Sequence, residues 1–133
     1  MSEMTKDEIK KFLLQGTFTG KLGTINKDGT PHVVPIWYTV DEEDKIIFNT
    51  GDKSVKAKNI RRDNRVRLCI DDQTPLFSFV TIDGVAELIS SEPSELYKWA
   101  KIIAARYMGN DMSEVYGRRN SAEGELLIKI KPV

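Results

Sequence analysis

The sequence predicts a mainly β domain, a small antiparallel barrel of six strands with two or three peripheral helices. Three observations lead there. Short runs rich in Val, Ile, Thr and aromatic residues recur between residues 19 and 90. Brief turns carrying Gly, Asp and Pro separate most of them, in place of the helical segments that an alternating β/α fold needs. Strong helical periodicity appears only later, at 93–108, and 133 residues suit a single domain with one core.

Each element has its own signal. Thr5 as N-cap with Glu8 three residues on makes a capping box; Ile9, Phe12 and Leu13 form the buried stripe of a short helix, and Gly16 can adopt the left-handed conformation past its end. A first strand over 19–26 runs into Lys27-Asp28-Gly29, an Asp-Gly turn signal, and a second over 32–40 returns as a hairpin. Residues 41–44, all acidic, turn the chain into a third strand, 45–50, whose centre is Ile46-Ile47-Phe48. A helix is expected over 54–62 with Ala57 and Ile60 inward, then a strand over 65–70 with Val66, Leu68 and Ile70 on the core face. After a turn at 71–75 comes a long strand, 77–89, expected to be interrupted at Asp83-Gly84 by a bulge or bend of the kind that closes barrels. Pro93 opens the helix at 93–108, which carries Leu96, Trp99, Ala100, Ile103 and Tyr107 at helical spacing and ends at Gly109. Segment 110–123 is polar and reads as a loop with a partial turn, and 125–131 is the last strand.

Composition removes several function classes. Lysine plus arginine equals aspartate plus glutamate, 20 each, so no global field draws the chain to nucleic acid. No apolar run is long enough to span a bilayer, the charged N-terminus lacks the core of a secretory signal, and the lone Cys69 cannot form an internal disulfide; together these point to the cytosol, with no membrane partner. One histidine and one cysteine cannot build a common zinc site within one subunit. His32 would have to be the base of any Ser-His-Asp triad, but spacing identifies no partner for it, and no catalytic residue is assigned.

Two stretches stand out. In the strand 32–40, Pro35 sits mid-strand, and both faces are apolar: Val34, Ile36, Tyr38 and Val40 on one, Val33, Pro35 and Trp37 on the other. An edge-strand proline that blocks aggregation and a flat contact for a planar ligand both account for Pro35, as core packing or a subunit interface does for Trp37. The second stretch, 51–64, is basic. In isolation Lys53, Lys56, Lys58, Arg61 and Arg62 are a solvated helix face, but the run follows Asn49-Thr50-Gly51 and Ser54 lies at the helix start, so hydroxyls, N–H groups and ammoniums can converge on an anion such as phosphate. Neither a P-loop nor a Rossmann glycine pattern is present.

The order D-G-T-P-H-V-V-P-I-W-Y (28–38) followed by I-I-F-N-T-G-D-K-S-V-K-A-K-N-I-R-R-D-N-R-V (46–66) resembles the pyridoxamine 5′-phosphate oxidase-like superfamily of flavin-binding split barrels, nearest to its deazaflavin-dependent branch. The resemblance covers residues 17–90 well. It implies a split barrel, a homodimer with the cofactor at its interface, and a ring system flanked by Val34, Pro35, Ile36 and Trp37. By the same resemblance Asn49, Thr50, Ser54 and Lys56 contact the ribityl-phosphate end, with Lys58 assisting. Two departures are visible: Val55 stands where FMN-binding members often carry arginine, and the given sequence closes on Lys131-Pro132-Val133 without the Arg-x-His segment of true pyridoxamine phosphate oxidases. The expected activity is therefore hydride transfer between deazaflavin coenzyme F-420 or FMN and a small-molecule substrate, with pyridoxamine phosphate oxidation itself not expected. The competing readings are a flavin- or haem-binding storage or sensor protein of the same fold, with His32 as the available haem ligand, and a barrel serving only as an interaction domain.

Overall fold

The capping box at the start of the chain is formed: Thr5 Oγ1 accepts the Glu8 N–H at 3.2 Å and Glu8 Oε1 accepts the Thr5 N–H at 3.2 Å, opening α1 (Lys6–Leu14). Gly16 lies beyond its end at φ +52°, a left-handed position that suits glycine. The structure, a computed structural model, describes residues 3–133; Met1 and Ser2 of the charged N-terminal segment lie outside the described residues.

Seven antiparallel strands follow, not six: β1 (Gly20–Ile25), β2 (Pro31–Ile36), β3 (Thr39–Val40), β4 (Ile46–Gly51), β5 (Arg65–Asp71), β6 (Phe79–Ser90) and β7 (Glu125–Pro132). They form one sheet in the order β2-β1-β5-β6-β7-β4-β3. The extra strand arises because the predicted strand 32–40 breaks at Trp37-Tyr38, its first part pairing with β1 and its last two residues with β4. Strands β2 and β3 are thus the two edges of the sheet yet only two residues apart in sequence, a gap that the chain crosses in about 11 Å. The edges have to meet at that corner, which curls the sheet into a split barrel.

The barrel interior holds Leu22, Ile36, Tyr38, Ile46, Phe48, Val66, Leu68, Ile70, Ile82, Ala86, Ile128 and Ile130, with Phe12 and Leu13 of α1 and Ile60 of α2 (Val55–Arg62) added to it. The continuous apolar centre of β4 has a simple cause: Ile46 and Phe48 face the barrel while Ile47 faces outward, against Leu127 and Leu96 with Trp99 beside them. Leu96 and Trp99 belong to α3 (Pro93–Met108), whose limits are those the sequence predicts.

Two further expectations are corrected. Register runs unbroken through Asp83-Gly84, and the irregularity lies at Leu88–Ser90. Gly84 serves close packing: a Cβ there would come within 2.5 Å of Ile130 Cγ2 and 3.0 Å of the Lys131 carbonyl oxygen. Segment 110–123 is not a loop but contains a 3-10 turn (Asn110–Met112) and α4 (Ser113–Arg119). Here Gly117 permits contact with α3, since its Cβ would meet the Lys101 backbone at 3.1 Å.

Arg106 of α3 locks the corner. Its guanidinium donates to the carbonyls of Leu13 (2.7 Å), Gly16 (3.0 Å) and Tyr38 (2.9 Å), and lies 4.7 Å from the Tyr38 ring centroid and 5.0 Å from that of Tyr107. The Tyr38 hydroxyl donates to the Leu13 carbonyl at 2.6 Å, and burial pushes its pKa up to about 12 despite the nearby guanidinium. Past the corner, buried Asp41 explains the acidic turn: Oδ1 accepts the N–H groups of Glu43 and Lys45, each at 2.9 Å, and Oδ2 pairs with Lys129 at 3.1 Å. Burial pushes this carboxyl up, but those hydrogen bonds and the Lys129 charge outweigh it and hold its pKa below the ordinary 3.8.

Two outcomes follow. Arg106→Lys keeps the charge but cannot fork among three carbonyls, so unfolding in urea should show a loss of about 1–3 kcal/mol with little change in slope; an unchanged midpoint would remove Arg106 from this role. Because Asp41 has a depressed folded pKa, its contribution is complete above the unfolded value and disappears as pH falls through the folded one. Asp41→Asn should therefore lower the urea midpoint at pH 7, and the gap from the wild type should close below about pH 4; a gap equally wide at pH 3 would contradict the assignment.

Candidate functional site

The Asn26 N–H donates to the Thr30 carbonyl at 2.8 Å, which fixes the phase of the β1–β2 hairpin. Counting by twos along the register, the pairs Thr24–His32, Leu22–Val34 and Gly20–Ile36 occupy hydrogen-bonded positions. Pro31 and Pro35 oppose Ile25 and Lys21 in the other phase, with their nitrogens toward the open edge, so neither costs a ladder bond. The side chains that alternate outward with Pro35 are uncovered: Val33 is 62% exposed and Pro31 and Pro35 are exposed too, while Ile36 is buried in the barrel and Val34 half-buried.

Past Ile36 the chain leaves the strand and Trp37 stacks on Tyr107, with ring centroids 5.2 Å apart and planes 4° from parallel; Tyr116 of α4 meets the indole edge-on at 6.3 Å. The Tyr107 hydroxyl donates to the Phe18 carbonyl at 2.7 Å, holding this platform in place. Pro35, Trp37 and Asn49 converge on a pocket of about 250 Å³ completed by Ala100, Ile103, Asn120 and Glu125. In it Asn49 Nδ2 makes a long 3.4 Å bond to the Leu96 carbonyl, and the buried Oδ1 has no partner among the described residues. An unpaired buried acceptor costs about 1–3 kcal/mol, a cost that a ligand N–H would remove.

The expected phosphate end is only partly free to bind. Thr50 is buried, and its hydroxyl lies 3.1 Å from that of Ser54. Ser54 Oγ in turn donates to the Gly51 carbonyl at 2.8 Å and accepts the Ala57 N–H at 3.2 Å as the cap of α2. Both hydroxyls are thus engaged within the chain, shaping the turn between β4 and α2. Lys56 is half-buried; desolvation lowers its pKa and the Glu125 carboxylate opposes that. Lys58, two residues further around the helix, is exposed on a different side, about 200° away. Beside this turn lies a second cavity of about 690 Å³, lined by Asp52, Lys53, Ser54, Arg119 and Glu123 and sharing Glu125 with the first.

The structure therefore brings Pro35, Trp37 and Asn49 together, sets Thr50, Ser54 and Lys56 beside them, buries Ile36 and leaves Lys58 apart. Sequence reasoning missed Asn120, Arg119 and Glu125, which arrive from α4 and the start of β7, and it read Tyr107 only as helix stripe. The one signal for Glu125 is topological: it pairs with Gly51 where β4 meets β7. It also missed Asn59, whose amide donates to Thr24 Oγ1 and Asn26 Oδ1, both at 3.0 Å, and accepts from Arg62 at 2.7 Å, tying α2 to the hairpin.

Comparison with known proteins bears on the family and the fold. Residues 5–133 match the family model described as pyridoxamine 5′-phosphate oxidase. Over 92 residues, 64% of this chain, the sequence is 37% identical to a 5a,11a-dehydrotetracycline/5a,11a-dehydrooxytetracycline reductase of Streptomyces rimosus; the match spans 63% of that protein. A conserved hypothetical protein of Mycobacterium tuberculosis superimposes with a TM-score of 0.83 at 30% identity, covering 98% of this chain and 81% of that one. A solved F-420 reductase shares the fold at 24% identity, with a TM-score of 0.76 and 92% of each chain covered. With the split barrel, the corner at Trp37 and the family match extending over nearly the whole sequence, the chain belongs to the pyridoxamine 5′-phosphate oxidase family.

Proposed function

We propose that this protein is an oxidoreductase that holds deazaflavin coenzyme F-420 or FMN along the Pro35 edge of β2, at the interface of a homodimer, and passes a hydride between it and a small organic substrate. The observation that carries the reading is the convergence of Pro35, Trp37 and Asn49 on one pocket, with the Asn49 amide oxygen buried and unpaired. A flat heterocycle with an N–H at its edge suits that combination, so the residues present fit the group. When bound, the cofactor supplies the hydride chemistry.

The chain's own residues bind and orient. The Pro35 ring and the Trp37 indole offer flat apolar surface, and Tyr107 behind the indole fixes its plane. Lys56 contributes the charge for a phosphorylated tail, with Lys53 and Arg119 at the neighbouring cavity. Val55, 49% exposed, brings no charge where FMN-binding members often carry arginine, which weighs against FMN. One chain alone offers about 250 Å³, less than the roughly 300–1,000 Å³ of ordinary ligand sites, and the pocket is lined by exposed Pro35. A second copy laid on that edge supplies the missing wall. The Streptomyces rimosus relative is named a reductase, which supports redox chemistry; its substrate is its own.

An absorbance spectrum of the purified protein, a solution mass and parallel titrations with FMN and F-420 test this. A dimer that binds either cofactor and exchanges hydride with a reductant is the expected result; failure of both titrations overturns the reading, and binding without turnover leaves a storage or sensor protein. Within the same titrations, Lys56→Ala should weaken binding about tenfold to a hundredfold. Unchanged affinity would remove the tail from Lys56.

A further inference from the structure

Among the acids in this region, one lines both cavities. Glu125 opens β7 and pairs in register with Gly51 at the end of β4. Its Oε2 lies 3.3 Å from the place a Cβ would take on Gly51, so glycine lets the carboxylate lie close against the end of β4. We infer that Glu125 is a specificity-determining acid: by setting the charge of the tail site it discriminates against a dianionic group, such as a phosphate monoester, in favour of a singly charged one, such as a phosphodiester. The inference deepens the cofactor reading and rests on it for the natural ligand.

The larger cavity that Glu125 lines carries Asp52 and Lys53 from the turn before α2, Arg119 from α4 and Glu123 from the turn before β7. Lys56 of α2 acts on Glu125 through its charge, and the Arg61 guanidinium donates to the Asp52 carbonyl at 2.9 Å. Neutralising Glu125 leaves these cations less opposed. Burial raises the Glu125 pKa above the usual carboxylate range, Lys56 pulls it back and Asp52 raises it further. Arg119 is not committed to an acid; its guanidinium lies 5.7 Å from the Tyr116 ring centroid. A doubly charged ligand meets the Glu125 repulsion twice over, so the free-energy difference scales with ligand charge.

The test uses the full chain and four probes in NMR chemical-shift titrations: sulfate, a dianion throughout pH 5–8, dimethyl phosphate, a monoanion, FMN and F-420. At pH 8, Glu125→Gln should bind sulfate about tenfold more tightly than the wild type and dimethyl phosphate only about threefold more tightly. Glu125→Asp, which keeps the charge, should behave as the wild type, and thermal midpoints confirm that each variant is folded. Equal or weaker sulfate binding by Glu125→Gln, a gain as large for dimethyl phosphate as for sulfate, or no sulfate binding by either protein overturns the inference. If sulfate responds as expected while FMN and F-420 bind neither protein, the cofactor reading fails and the role of Glu125 stands.

Discussion

Two residues, Trp37 and Tyr38, separate strands that lie at opposite edges of the sheet, and the rest of the architecture depends on how that corner is held. A curled seven-stranded sheet resists having its edges drawn together unless something fills and satisfies the junction, because a strand break leaves backbone groups without ladder partners. Three side chains do this. Arg106 takes the Tyr38 carbonyl, the Tyr107 hydroxyl lies 3.3 Å from the Tyr38 N–H and accepts from it, and the Tyr38 ring fills the barrel mouth while its own hydroxyl caps α1. One helix, α3, thereby ties α1, the strand break and the barrel together.

The same junction positions the candidate site. Because the chain turns at Trp37, the indole leaves the sheet and lands on Tyr107, and because β4 is the partner of β3 beyond the turn, Asn49 near its far end comes beneath the Pro35 edge. The register of β4 with β7 then brings Glu125 over Gly51. The pocket is a by-product of closing the barrel: the side chains that line it come from β2, the corner, β4, α3, α4 and β7, and no local stretch of sequence contains more than a few of them.

That distribution explains what could be read in advance. Strands and helices with local signals were legible: the capping box at Thr5, the alternation of Val66, Leu68 and Ile70, and the periodicity that runs from Pro93 to Met108 all come from contacts a few residues apart. The break at Trp37 was not, because β-branched and aromatic residues continue across it and only the pairing partner changes. Helix α4 was hidden because its amphipathic pattern is seven residues long and its decisive contact, Gly117 on Lys101, is tertiary. Asp83-Gly84 looked like a bulge for the same reason: a glycine demanded by the next strand reads as one demanded by the local backbone. In the candidate site, Pro35, Trp37, Asn49 and Lys56 were visible through a resemblance, whereas Asn120, Arg119 and Glu125 needed the topology.

Two asparagines show how satisfied and unsatisfied polar groups differ in this fold. Asn59 is buried with every strong demand met, donating twice and accepting once, so its role ends with joining α2 to the β1–β2 hairpin. Asn49 sits among equally well-satisfied neighbours, with Thr50 bonded to Ser54 on one side and Phe48 in the core on the other, yet its own Oδ1 is buried without a partner and its one bond is long. Packing alone does not favour such an atom, since an apolar side chain of similar shape would avoid the desolvation cost. The unmet acceptor lies where an exposed proline edge and a stacked indole adjoin a cluster of charges, and the proposed cofactor site rests on that coincidence.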